Sequence, residues 1–283
     1  MPLPPHTETY RAAAGRIRYT DVGEGPPVVL LHGNPTSAHL YRRLLSALPP
    51  QYRCIAPDHL GFGRSDAPPH AAYHPPAHAA RLHGLLRTLD LNGLTLILHD
   101  WGGPIGLSYA LRHPDRIRRL VLLNTWAWPL SHRPLLRLAS SLIGTQLGRI
   151  LVEEGNAFAR IVMPLTLGRF SLPRPRWMSS YASALDSPAR RRACWQFARG
   201  LIQETGWLRA LWAHRARLPN GPVLLCWGMA DPAFGTESTL RRWQTLFPEA
   251  QVHRWPHVGH YVPEEAGARL SSRIQSFLDS PAP

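Results

Sequence analysis

The stretch that decides the fold is LILHDWGGPIGLSYA, Leu96 to Ala110. An apolar, strand-like run stops at His99-Asp100-Trp101-Gly102-Gly103, and a helical pattern starts at once and runs to about Arg112, ahead of Pro114. Strand, tight glycine turn and helix in immediate succession predict one unit of a parallel sheet with a close-packed helix behind it. Asp100 stands at the turn, where the helix N-terminus offers N–H groups and the positive end of its dipole to an anion. Aspartate is also a common helix N-cap, so the segment alone leaves two roles open.

The same kind of apolar run recurs outward from this point. It is found at 27–33 (PVVLLHG), 53–58 (RCIAPD), 94–100, 119–125 (RLVLLNT), 222–228 (PVLLCWG) and 250–256 (AQVHRWP). Amphipathic stretches at 38–48, 77–91 and 238–247 lie between them. Nearly continuous apolar strands alternating with helices predict an α/β fold, with a mostly parallel sheet covered on both faces. Residues 9–23 read as an antiparallel hairpin added at its edge. From Ala127 to Leu218 the rhythm breaks: no strand-like run occurs, and prolines at 129, 134, 164, 173, 175 and 188 divide a helical pattern. The expectation is a core domain over 1–126 and 219–283 with an inserted helical lobe over 127–218. Its aromatic residues (Trp126, Trp128, Phe158, Phe170, Trp195, Phe197) are expected to pack internally, with a minority facing a cavity.

At 283 residues and 44% hydrophobic content, the chain can bury one large core. The first twenty residues carry no signal-like apolar run, and nothing approaches the roughly 18 uninterrupted apolar residues of a membrane span. No membrane partner is therefore expected. Cys54, Cys194 and Cys226 are scattered without CxxC spacing, which suits a reduced, cytoplasmic protein and argues against zinc or a disulfide framework. Net charge is +14, and all 32 basic residues are arginine. They are spread from Arg11 to Arg273 with no accompanying nucleic-acid module, so a surface bias is expected rather than a specific nucleic-acid site.

Three further strand ends complete a constellation. Asn34 follows one strand in LLHGNPTS, Asp231 follows another in CWGMADPAF, and His260 follows the last in WPHVGHYVPEE. Ligands bind such sheets beyond the carboxyl ends of the strands. The order of Asp100, Asp231 and His260 is that of nucleophile, acid and histidine in α/β-hydrolases. The motifs HGNPTS, PDHLGFGRSD and HDWGGPIG, with the His260 segment, make the sequence similar to the haloalkane dehalogenases of that superfamily. The likeness spans nearly the whole chain and is weakest over 127–218. It implies an α/β-hydrolase fold with a helical cap. It also implies Asp100 as nucleophile, His260 as base, Asp231 as acid, and Asn34 with Trp101 as a halide-binding pair. The implied partners are a halogenated small molecule and a halide ion, with no cofactor or metal. Some relatives hold the acid after the preceding strand; Asn124 stands there, so the acid is Asp231. One departure is Leu98, two residues before Asp100, where a small residue often sits; a tighter or altered turn is expected from it.

A carboxylate suits this chemistry. Displacing halide with a serine would leave a stable ether, whereas a carboxylate leaves an ester that water can open. His260 would activate that water, Asp231 would orient the imidazole, and the N–H groups of Asn34 and Trp101 would hold the oxyanion. The Trp101 indole and the Asn34 amide are donors free of nucleophilic competition, fit for a departing halide. Two other enzyme readings share these motifs. A β-lactone decarboxylase of hydrocarbon biosynthesis carries the same Asp, His and Asp pattern. Epoxide hydrolases share HGxP and HDWGG but use two lid tyrosines, and 127–218 holds only Tyr181. A binding module on the same fold, oligomeric through its arginine-rich lobe, would commonly have lost the base or acid. Both are present.

Overall fold

A computed structural model describes residues 7–48, 50–168 and 176–281. Phe170, Pro173 and Pro175 lie outside the described residues. The strands are β1 (Thr7–Ala12), β2 (Gly15–Val22), β3 (Pro27–Leu31), β4 (Arg53–Pro57), β5 (Leu94–His99), β6 (Ile117–Leu123), β7 (Val223–Gly228) and β8 (Gln251–Trp255). The helices before β6 are α1 (Arg42–Ala47), α2 (Pro75–Leu89) and α3 (Gly102–Arg112). Between β6 and β7 the described elements are helical: α4 (Pro134–Ile143), α5 (Gln146–Glu153), a π-helical turn (Phe158–Val162) leading into α6 (Met163–Leu165), α7 (Trp177–Ala184), α8 (Pro188–Gln203) and α9 (Thr205–Ala213). After β7 come α10 (Glu237–Leu246), α11 (Val262–Glu265) and α12 (Ala268–Asp279).

The eight strands form one sheet in the order β1-β2-β4-β3-β5-β6-β7-β8. The expected hairpin is the edge pair β1-β2, and β2 joins β4 antiparallel; every other pairing is parallel. All residues of β5 are buried, between β3 on one side and β6 on the other. Its side chains alternate between two layers. Leu96 and Leu98 join Leu82 and Leu85 of α2 and Ile105 of α3. Ile97 joins Leu44 and Leu45 of α1 and Leu270 and Ile274 of α12. Each such side chain contributes about 1.5–3 kcal/mol by leaving water, which is why a strand covered on both faces reads as an unbroken apolar run.

Leu98, two residues before Asp100, is accommodated by a glycine of α3. Its side chain turns into the α2–α3 layer, and a Cβ on Gly106 would lie 2.5 Å from its Cδ2. The missing side chain of Gly106 thus makes room for Leu98. Gly103 answers a similar constraint at the start of that helix, where a Cβ would meet Thr125 Oγ1 at 1.8 Å.

Candidate active site

Asp100 occupies the turn between β5 and α3 with φ +49°, a left-handed conformation costly for a non-glycine residue. Several bonds over-determine it. The Gly103 N–H donates to the Asp100 carbonyl at 2.9 Å and the Thr125 hydroxyl to the same oxygen at 2.6 Å. The Asn34 N–H, brought in by β3, donates to Asp100 Oδ1 at 2.8 Å. The strained turn pushes the carboxylate out beyond the sheet.

His260, in the loop after β8, reaches that carboxylate. Its Nε2 is 3.5 Å from Asp100 Oδ2, and its Nδ1–H donates to Asp231 Oδ2 at 2.9 Å. The loop is pinned at both polar backbone groups: the His260 N–H donates to Thr166 O at 2.8 Å, and His99 Nε2 donates to the His260 carbonyl at 2.9 Å. Asp231 is fixed in turn. Its Oδ1 accepts the Ala233 N–H at 2.7 Å and its Oδ2 accepts Asn124 Nδ2 at 2.8 Å. Asn124 also donates to Gly228 O at 2.9 Å and accepts from the Gly228 N–H at 2.7 Å, stitching the end of β6 to that of β7. Asn124, passed over as a candidate acid, therefore holds Asp231 in place. Sequence reasoning missed this link, as it missed His99 and Thr125.

Burial by itself would raise both carboxyls, but His260 outweighs it, and Asp100 and Asp231 are held below the usual carboxylate range. For Asp100 the charge of His99 and the Asn34 N–H add to that effect; for Asp231 Asn124 and the Ala233 N–H do. The opposite contest decides His260: burial lowers it, yet Asp231 and Asp100 together raise it to about 10. His99, its ring 4.8 Å from that of His260, is pushed down to about 4, first by burial and then by the charge of His260. At neutral pH the site holds one imidazolium between two carboxylates, beside a neutral imidazole.

The pair faces a cavity of about 120 Å³. Phe234 and Tyr261 line it from the sheet side, Leu136, Ile143, Phe158 and Leu201 from the helices between β6 and β7. Among the described aromatic residues expected to pack in the lobe, only Phe158 faces this cavity; Trp126, Trp128, Trp195 and Phe197 are buried. Tyr181 is buried away from it, its hydroxyl donating to Glu264 Oε1 at 2.6 Å. Asn34 and Trp101 both line the cavity, yet their side-chain donors are engaged by α8. The Trp101 indole N–H donates to Phe197 O at 3.0 Å and Asn34 Nδ2 to Cys194 O at 3.1 Å. Asn34 Oδ1 is buried without a partner.

Residues 26–266 match the family model of the alpha/beta hydrolase fold. A cis-3-alkyl-4-alkyloxetan-2-one decarboxylase of Shewanella oneidensis is 35% identical, over 93% of this chain and 85% of that protein. Haloalkane dehalogenase 2 of Mycobacterium bovis is 33% identical, over 94% of this chain and 92% of that protein. The crystal structure of the haloalkane dehalogenase DatA from Agrobacterium tumefaciens superposes with a TM-score of 0.83 at 25% identity, covering 97% of each chain. The chain belongs to the α/β-hydrolase fold family, in the part of it that holds the haloalkane dehalogenases and the oxetanone decarboxylases.

Proposed function

We propose that this protein is a hydrolytic haloalkane dehalogenase in which Asp100 is the nucleophile, His260 the base and Asp231 the acid. The observation that carries this reading is the seating of Asp100. Its carboxylate is ionised, buried at the mouth of an apolar cavity, braced by one backbone N–H and within reach of one imidazole. A desolvated carboxylate is ready to displace a leaving group in line, and the cavity keeps water from competing.

In the first step Asp100 Oδ2 attacks the carbon bearing the halogen, and halide leaves with the bonding pair. The second step follows from the charges. Esterification neutralises Asp100, removing one of the two carboxylates that hold His260 protonated. The His260 proton affinity falls, the imidazole releases its proton to solvent, and it accepts one from water attacking the ester carbonyl. The tetrahedral intermediate then collapses with cleavage of the acyl C–O bond, and His260 returns that proton to the departing alkoxide. The alcohol leaves with Asp100 restored as a carboxyl group that ionises. The Asn34 N–H, already on Oδ1, and the Trp101 N–H stabilise the oxyanion. Asp231, braced by Asn124, stabilises the imidazolium that re-forms. The lobe over 127–218 acts as the cap that shapes the cavity, and a cytoplasmic setting suits the three unpaired cysteines.

A second reading rests on a specific observation: the indole N–H of Trp101 and an amide hydrogen of Asn34 are spent on carbonyls of α8. A halide would have to win them back, whereas the ring of a β-lactone offers the same carboxylate an electrophile that releases no halide. The two readings separate by assay. Halide release from 1,2-dibromoethane and 1-iodobutane by the wild type, lost in Asp100→Ala, supports the dehalogenase. No halide release, with carbon dioxide and alkene formed from a cis-dialkyl β-lactone, supports the decarboxylase. The epoxide hydrolase reading is disfavoured by the placement of Tyr181 outside the cavity.

A further inference from the structure

The helices over the cavity carry a surface that packing within the described residues leaves uncovered. Leu135, Leu138 and Leu142 of α4 are 80%, 58% and 59% exposed. Leu147, Ile150 and Leu151 of α5 follow at 67%, 49% and 52%, and Ile161 and Leu165 at 59% and 72%. Within each segment they recur three or four residues apart, so each helix turns a continuous apolar stripe to solvent. Scattered surface leucines are ordinary, but this concentration between 135 and 165 marks a contact surface.

Three features identify what covers it. First, α4 and α5 meet at 75°, and no single helix among the described residues is long and apolar enough to cross a membrane. Short amphipathic helices of this kind lie along a bilayer surface with the apolar stripe in the acyl boundary. The expectation of no membrane partner rested on the absence of a span, which does not bear on a surface contact. Second, the exposed charges bordering the stripes are mostly basic, Glu154 at the end of α5 being acidic. Arg137 and Arg160 are exposed beside Leu138 and Ile161 and make no ion pair among the described residues, in a chain of net charge +14. A second copy would bring the same positive charge against them, whereas lipid phosphates would complement it. Third, the opposite side of α4 (Leu136 and Ile143) lines the active-site cavity, so the surface and the cavity share one wall.

We propose that α4, α5 and the 158–165 segment dock on an anionic lipid bilayer, with the arginines at the headgroups and the leucines at the acyl boundary. The assignment stands independently of the reaction catalysed. Full-length protein is sedimented with vesicles of phosphatidylcholine containing one-third phosphatidylglycerol, and with phosphatidylcholine alone. Wild type is expected to pellet with the anionic vesicles and weakly with the neutral ones. Each leucine contributes about tenfold in partitioning, so Leu138→Glu with Leu142→Glu should reduce binding at least that much. Leu147→Glu with Leu151→Glu is an independent second variant on α5; both pairs are solvent-exposed and should melt close to wild type. Wild type left in the supernatant with both vesicles overturns the proposal, as does unchanged binding by both double variants. Sedimentation velocity without lipid supplies the remaining outcome: a wild-type dimer that the variants dissociate, with no vesicle binding, assigns the surface to a second copy and overturns the bilayer.

Discussion

β5 and α4 are both leucine-rich, and they meet opposite fates. Every residue of β5 is buried, whereas Ser140 is the one buried residue of α4. The difference lies in how many partners each element has. β5 is flanked by two parallel strands and covered above and below by helices, so every apolar side chain has a destination. α4 packs on α8 along one side, and its other apolar side stays exposed among the described residues. The chemistry follows this division. The interior that buries β5 also fixes Asp100 in a strained turn, while the lobe offers a wall and a surface.

That contrast can be broken or sharpened by substitution, and the largest effect should come from the turn. Replacing Asp100 with asparagine, which tolerates the left-handed conformation, should lower turnover by about five orders of magnitude while the protein still folds. A steady-state assay beside a circular dichroism spectrum checks both halves. Next comes the link across the sheet: Asn124→Ala frees Asp231 and should cost about 10–100-fold in kcat, with KM little changed. A proportionate rise in KM would instead assign Asn124 to substrate binding.

Stability should divide the two regions in the same way. A methyl group at Gly103 would collide with Thr125, so Gly103→Ala should destabilise by about 1–3 kcal/mol. Leu138→Ser on the exposed face of α4 should stay within about 0.5 kcal/mol. Thermal melts of the pair measure the contrast, and equal losses would remove it.

The same site should also show a pH dependence. His260 is raised in the folded protein from 6.5 to about 10, so its ion pairs stabilise the fold fully below pH 6.5. That contribution is lost as pH climbs towards 10. The stability gap between wild type and His260→Gln should therefore narrow over this window, as chemical denaturation at several pH values would show. A gap that widens with pH would mean that His260 is neutral in the resting site.

The sheet was legible because strands buried on both faces tolerate few polar interruptions; each run marked by sequence corresponds to a strand of the sheet, the half-exposed edge strand β8 included. Asp100, Asp231 and His260 were legible because each follows such a run, and strand ends converge at one edge of a parallel sheet. The role of Asn124 was not, since it depends on a partner 107 residues away and on a φ of +33° that no local pattern announces. Nor could a sequence place the donors of Asn34 and Trp101, because α8, an element of the lobe, decides which carbonyls they meet. The stripes on α4 and α5 show the same limit in another form. Helical periodicity reports that a face is apolar and is silent on what covers it.

The central claim is the covalent role of Asp100, and one measurement addresses it most directly. His260→Gln is mixed with 1-iodobutane, and its intact mass is followed by peptide mapping. The account predicts a stable gain of one butyl group on the peptide bearing Asp100, with stoichiometric halide release. An unmodified mass after halide release, or alkylation confined to another residue, would contradict it.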